Sequence, residues 1–157
     1  MKPRTHGMGW LWLAGIVLCT LVIWGNSLKD VEHSSAQSQK VLEVVEPVLD
    51  AVHAQPTGRH HLVRKAAHAL EFTGLGLCWS LFLRSRGRTG LQLAGLAALF
   101  CTATAGLDET LQLFVPGRGG QLSDVWIDVR GSLCAIAAVV LLDVLWRQCR
   151  SRRSISS

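Results

Sequence analysis

Residues 9–27 read GWLWLAGIVLCTLVIWGNS, a stretch without one charged side chain. At 1.5 Å of rise per residue a helix of that length reaches about 28 Å, close to the thickness of a bilayer's hydrocarbon core. The stretch therefore predicts a membrane span. Lys2 and Arg4 precede it, as they would a signal peptide. Its far end argues against cleavage: bulky Val22, Ile23 and Trp24 occupy the place where a small-x-small site is needed, and Ile16 to Cys19 lacks the small residues of a lipobox. The helix is read as retained.

Three further apolar stretches follow, at about 66–83, 91–114 and 125–146. The fourth holds an uninterrupted apolar run only from Gly131 to Leu142, too short to cross. It spans by taking Val125 to Arg130 and Asp143 to Trp146 with it. Composition agrees with four spans: 49% of residues are hydrophobic and 17% charged, against about 25% charged in a soluble domain. The expected fold is all-α, a polytopic bundle of four transmembrane helices over 9–146, with tails at 1–8 and 147–157. Five cysteines, an odd number, lie in or beside the apolar stretches and give neither a disulfide framework nor zinc-site spacing.

The net charge of +5 reports topology rather than nucleic acid. Nine of the sixteen Lys and Arg residues fall in three short segments: Lys2 and Arg4; Arg84, Arg86 and Arg88; Arg147, Arg150, Arg152 and Arg153. Four helices put all three on one side, and retained positive charge marks the cytoplasmic side. Both termini are expected there. Tails this short offer no folded basic surface for nucleic acid. Trp10, Trp12, Trp24, Trp126 and Trp146 stand near span ends, where an indole keeps its ring in lipid and its N–H in water.

The segment between the first two spans contains Val41, Val44, Val45, Val48, Leu49 and Val52 at helical spacing, opposite Glu43, Glu46 and Asp50. An amphipathic helix over 40–54, bent near Pro47, is expected to lie on the outer face of the bilayer or to fold over the bundle as a lid. His60 and His61 are adjacent loop histidines with no carboxylate at ligand spacing, and read as interfacial residues rather than metal ligands.

Charged and polar residues gather where the spans meet the outer leaflet. Asn26 and Ser27 close the first; Arg64, Lys65, His68 and Glu71 open the second; Asp108, Glu109 and Gln112 finish the third; Asp124, Asp128 and Arg130 open the fourth. Residues three or four apart share a helix face, so Arg64, His68 and Glu71 form one stripe, Asp108 and Gln112 another, and Asp124 and Asp128 a third. Glu71 lies about 10 Å of helix rise below Arg64 and needs a partner inside the bundle. Lys65, about 100° away from Arg64 around the helix, is expected at the interface. Between the third and fourth spans, VPGRGGQLSD at 115–124 makes a glycine-rich turn in which Arg118 and outward N–H groups suit an anion and Ser123 or Asp124 caps the next helix.

RKAAHALEF at 64–72, DETLQLFVPGR at 108–118 and SDVWID at 123–128, with Asn26, Ser27 and Gly131, together resemble the VanZ-like family. The resemblance covers nearly all of Gly9 to Trp146. It implies a small multi-pass protein of the bacterial cell (cytoplasmic) membrane, whose namesake is associated with reduced susceptibility to the glycopeptide antibiotic teicoplanin. It brings no established catalytic residues.

The residues themselves suggest one outer-leaflet site. His68, Glu71, Asp108 and Glu109 supply a general base with orienting carboxylates, or, through His68, Glu71 and Asp108, ligands for a divalent cation. Ser27, Arg64, Gln112, Arg118, Asp124 and Asp128 would bind substrate, with Lys65 assisting Arg64 and Arg118 on a phosphate. The substrate class is an anionic membrane lipid or a lipid-linked envelope precursor. The competing reading is a packing network in which Arg64 or Arg118 pairs Glu71 or Asp108, and Arg130 pairs Asp128. A transporter would need a polar path through the inner halves of the helices, which are almost entirely apolar; a second copy of the chain, meeting at small faces such as Gly131 and Ala135, is one way to build it. Another envelope protein is the other partner considered. Topology is checked by reporter fusions: alkaline phosphatase joined after residue 30 or 55 should be active, and joined after residue 88 or 157 inactive. The opposite pattern would invert the bundle.

Overall fold

The computed structural model describes residues 6–29, 39, 41–46, 59–116 and 121–155. It contains four long helices: α1, His6–Ser27; α2, Arg59–Ser85; α3, Gly90–Gln112; and α4, Leu122–Ile155. Each contains a segment long and apolar enough to cross a membrane: Met8–Ser27, Leu62–Ser85, Gly90–Gln112 and Leu122–Ser151. No strand occurs among the described residues. The helices run alternately up and down, so that the end of α1, the start of α2, the end of α3 and the start of α4 meet at one pole.

Burial follows the helical period. In α1, Ile16, Ile23 and Ser27 face inward, while Trp10, Leu11, Leu18 and Leu21 are exposed. In α3 the inward stripe is Leu93, Ala97, Cys101, Ala105, then Asp108, Glu109 and Gln112. It turns from apolar to polar within one helical turn. In α4 the stripe is Asp128, Ser132, Ala135, Ile136, Val139 and Asp143, with a carboxylate at each end. Leu91, 91% exposed, and the other large outward side chains give the bundle the apolar exterior that a lipid environment demands.

α2 is the central element and packs on all three others, whereas α1 and α4 scarcely touch. Its contact with α4 is the closest. A Cβ added at Gly76 would lie 2.6 Å from the Ser132 carbonyl oxygen, and one at Gly131 would overlap the Ala69 carbonyl. Only glycine allows the two backbones this near, the small-residue solution to helix packing where lipid provides no hydrophobic drive. The Thr73 hydroxyl is shared between the Ala69 carbonyl of its own helix (2.7 Å) and, across the seam, the Gly131 carbonyl (3.1 Å). Gly131 and Ala135, expected as a face for oligomers, are thus spent within the chain: Gly131 lies on α2 and Ala135 is buried.

Other expectations change with the longer helices. α2 starts at Arg59, so Arg64 and Lys65 are already helical, and α4 continues through the basic stretch to Ile155. α3 stops at Gln112, and the next three residues turn back through bonds from Leu113, Phe114 and Val115 N–H to the carbonyls of Thr110, Leu111 and Gln112. Trp24, near the end of α1, packs on the core around Ile23 and Phe72, with its Nε1 buried and without a hydrogen bond. Trp10, Trp126 and Trp146 are exposed, the first two near helix ends. Of the amphipathic segment, residues 41–46 are helical; Leu42 is buried, Val44 is 78% exposed, and Glu46 pairs with Arg59 at 3.7 Å. Its remaining apolar positions, Val48, Leu49 and Val52, lie outside the described residues. α2 closes in a Schellman motif, with Gly87 at φ 83° and Arg88 N–H bonded to the Leu83 carbonyl.

The α2–α4 seam gives a direct test. Gly131→Leu must push the Ala69 backbone away, an overpacking cost of about 1–3 kcal/mol or more, whereas Gly95→Leu points into open space. Thermal unfolding in detergent should show a clear fall for the first and little change for the second.

Candidate functional site

The polar pole is assembled by consecutive residues of α1. Asn26 Nδ2 donates to Glu71 Oε1 of α2 at 2.6 Å, and the next residue, Ser27, donates through Oγ to Asp108 Oδ2 of α3 at 2.8 Å. Neighbouring positions on a helix point about 100° apart, so the end of α1 reaches two helices at once. Gln112, one turn beyond Asp108, donates through Nε2 to Asp108 Oδ2 (3.0 Å), Ser27 Oγ (3.3 Å) and Glu109 Oε1 (3.4 Å). The backbone N–H of Gln121 donates to Glu109 Oε2 at 2.8 Å. The anion received at the approach to α4 is therefore the protein's own carboxylate.

Ser27 and Asp108 are fully buried, Asp128 is 2% exposed, Glu109 8% and Gln112 9%. His68 lies at the centre of the α2 stripe, its Nδ1 3.8 Å from Glu71 Oε2; neither atom has a hydrogen bond, and both are buried. Asp128, projecting from α4, forms no hydrogen bond or ion pair among the described residues. One atom from each of His68, Asp108 and Asp128 lies within 4.8 Å of the other two. The sequence proposed His68, Glu71 and Asp108 as the metal candidates; the geometry puts Asp128 in the place of Glu71, which is drawn toward Asn26.

Of the arginine pairs expected of a packing network, those of Arg64 and Arg130 are absent among the described residues, and those of Arg118 lie outside them. Arg64 is half-buried with no ion pair, and Arg130 is exposed with none. Lys65, expected at the interface, instead reaches Asp124 Oδ1 at 2.8 Å and is the one cation joined to the cluster by a short ion pair among the described residues. Lys29 Nζ donates to Asn26 Oδ1 at 2.8 Å. Arg118 and the Gly117–Gly120 turn lie outside the described residues, as do the side chains of His60 and His61. Ser123 and Asp124 do not cap α4, because the helix begins at Leu122. Ser123 Oγ bonds instead to Gln121 Oε1 and Asp124 Oδ1, at 3.3 and 3.1 Å.

The sequence missed an ion-paired triad at the opposite pole. Asp143, read as an inner-interface residue near Trp146, is 5% exposed, with Arg84 Nη2 3.0 Å from one carboxylate oxygen and Arg147 Nε 2.8 Å from the other. The signal was present, since Asp143 and Arg147 are four apart on one helix. Between the poles the buried hydroxyls of Thr73, Ser80 and Ser132 all donate to helix carbonyls. They do not form a polar path.

Four membrane-length helices around a buried cluster of carboxylates, amide and imidazole define a multi-pass membrane protein with a polar site at one pole. The chain belongs to the VanZ/LLP1 family, whose model matches residues 10–143 and so includes every element that builds the cluster. No curated protein and no solved structure matches it.

Proposed function

We propose that this VanZ/LLP1 protein lies in the bacterial cytoplasmic membrane with both termini in the cytoplasm, and that its polar pole, at the outer leaflet, binds or acts on an anionic lipid or lipid-linked envelope precursor. The observation that carries the reading is Arg64. A half-buried guanidinium within a membrane span, on the same face of α2 as His68 and Glu71 and with no ion pair among the described residues, is positioned for an anion brought from outside the protein. Arg118 would add a second cation from the adjoining turn.

His68 serves either to move a proton, with Glu71 orienting the imidazole, or to hold a divalent cation, and the two roles exclude each other. Asp108 and Glu109 would complete the reacting end, while Ser27, Gln112, Asp124 and Asp128 line the bound group. A link to glycopeptide susceptibility follows if the ligand is the precursor those antibiotics bind. A packing role is the rival, favoured by the hydrogen bonds that Asn26, Ser27 and Gln121 already make to three of the carboxylates.

Glu71→Gln and Asp108→Asn separate the two readings, because each removes charge with little change of shape. Membrane-inserted protein is measured by immunoblot, and glycopeptide susceptibility and the lipid-precursor profile are measured in the same cells. A site predicts protein at near wild-type level with the phenotype lost. A packing network predicts that both variants disappear from the membrane.

A further inference from the structure

We infer that His68, Asp108 and Asp128 form a binding site for one divalent cation, and that the cation, rather than the protein's own basic residues alone, holds the anionic group of the ligand. The inference rests on the lipid-binding reading for its second half only.

The three residues come from three helices, α2, α3 and α4, and their ligand atoms lie within 4.8 Å of one another. Two donors on a common ion, each at about 2.1 Å, are at most about 4.2 Å apart, so the cluster closes on an ion by less than about 1 Å of side-chain movement. Proximity of acidic groups alone would say little. The second observation is Asp128: 98% buried by its 2% exposure, directed into the cluster, and without a hydrogen bond or ion pair among the described residues. A buried carboxylate within 4.8 Å of that of Asp108 is expensive unless something positive is placed beside it.

Asp128 itself is paired with none of the groups around it among the described residues. From α2 come His68, Glu71 and Lys65; from α3, Asp108 and Glu109; from α4, Asp124. Lys65 is engaged with Asp124 at 2.8 Å. A divalent ion would place positive charge directly beside Asp128. Ser27 and Gln112 both donate to Asp108 Oδ2, at 2.8 and 3.0 Å, and Glu71 flanks the imidazole of His68 at 3.8 Å. The two donations to Asp108 are outer hydrogen bonds of the kind that hold a metal ligand in orientation, while Glu71 stands beside His68 without one.

One imidazole nitrogen and two carboxylates favour Zn²⁺, Mn²⁺ or Co²⁺ over Mg²⁺ and Ca²⁺, which prefer oxygen throughout. Three protein ligands leave at least one coordination position for an outside oxygen. A phosphate there would neutralise the ion while Arg64 approached it from the same face of α2. An acidic cluster thereby becomes able to receive an anion.

The test uses the full chain, treated with EDTA and placed in nanodiscs of neutral phosphatidylcholine, titrated with Co²⁺ by ligand-field absorption and with Zn²⁺ as competitor. One Co²⁺ per chain is expected, displaced by Zn²⁺, with affinity lowered roughly tenfold or more in Asp128→Asn and in His68→Gln. No Co²⁺ bound by the wild-type chain would overturn the site, a result independent of whether either variant folds. Unchanged binding in both variants would overturn it as well. Repeating the titration with phosphatidylglycerol present separates the two proposals. Co²⁺ binding that is indifferent to the anionic lipid upholds the cation site and sinks the lipid reading. Anionic lipid that binds the EDTA-treated chain as tightly as the untreated one, with no Co²⁺ taken up, sinks the cation site alone.

Discussion

Placing several carboxylates inside an apolar bundle is the constraint around which the rest of this protein is arranged. A buried charge must be paired, hydrogen-bonded or bound to an ion, because nothing in a hydrocarbon environment solvates it. The requirement explains why α1 ends in Asn26 and Ser27, whose side chains reach Glu71 and Asp108 on two different helices. It also explains why Gln112 turns its amide toward three oxygens at once and why the N–H of Gln121 is directed at Glu109. Asp128 is the position where these contacts run out.

The opposite pole provides an internal comparison. Asp143 is as deeply buried as several residues of the polar cluster, yet an arginine is close to each of its oxygens. That is how this fold completes a carboxylate whose task is to hold helices together. At the polar pole Lys65 pairs with Asp124, His68 lies 3.8 Å from Glu71, and neither Asp128 nor the nearby Arg64 has an ion pair among the described residues. The glycine-mediated approach of α2 and α4 at Gly76 and Gly131 keeps both poles in register. It fixes His68 relative to Asp128, two residues that no hydrogen bond connects.

Much of the fold was legible from residues 9–27 alone, because length and apolarity are all that a span requires, and the 3.6-residue period assigned Asp108, Gln112 and Asp128 to inward faces. The family was legible from the combination of RKAAHALEF, DETLQLFVPGR and SDVWID. What could not be read was which carboxylate meets which donor. Sequence spacing fixes the angle of a side chain around its own helix, but not how far one helix slides along another, and that offset decides whether Asp128 or Glu71 completes the group with His68 and Asp108. Arginine was expected to neutralise Glu71 because opposite charges attract, whereas the neutral amide of Asn26 reached it first. Lys65 was misplaced for a related reason: its long stem extends from the flank of α2 to Asp124.

The central claim is that Asp128 is a site carboxylate with no ion pair among the described residues, while Asp143, paired with two arginines, belongs to the frame. Thermal unfolding of the metal-free chain in detergent, comparing Asp128→Asn with Asp143→Asn, tests it most directly. The account predicts that Asp128→Asn melts at or above the wild-type temperature, since a strained buried charge is removed, and that Asp143→Asn melts below it, since Arg84 and Arg147 lose their partner. A lower melting temperature for Asp128→Asn, equal to or greater than the loss in Asp143→Asn, would contradict it.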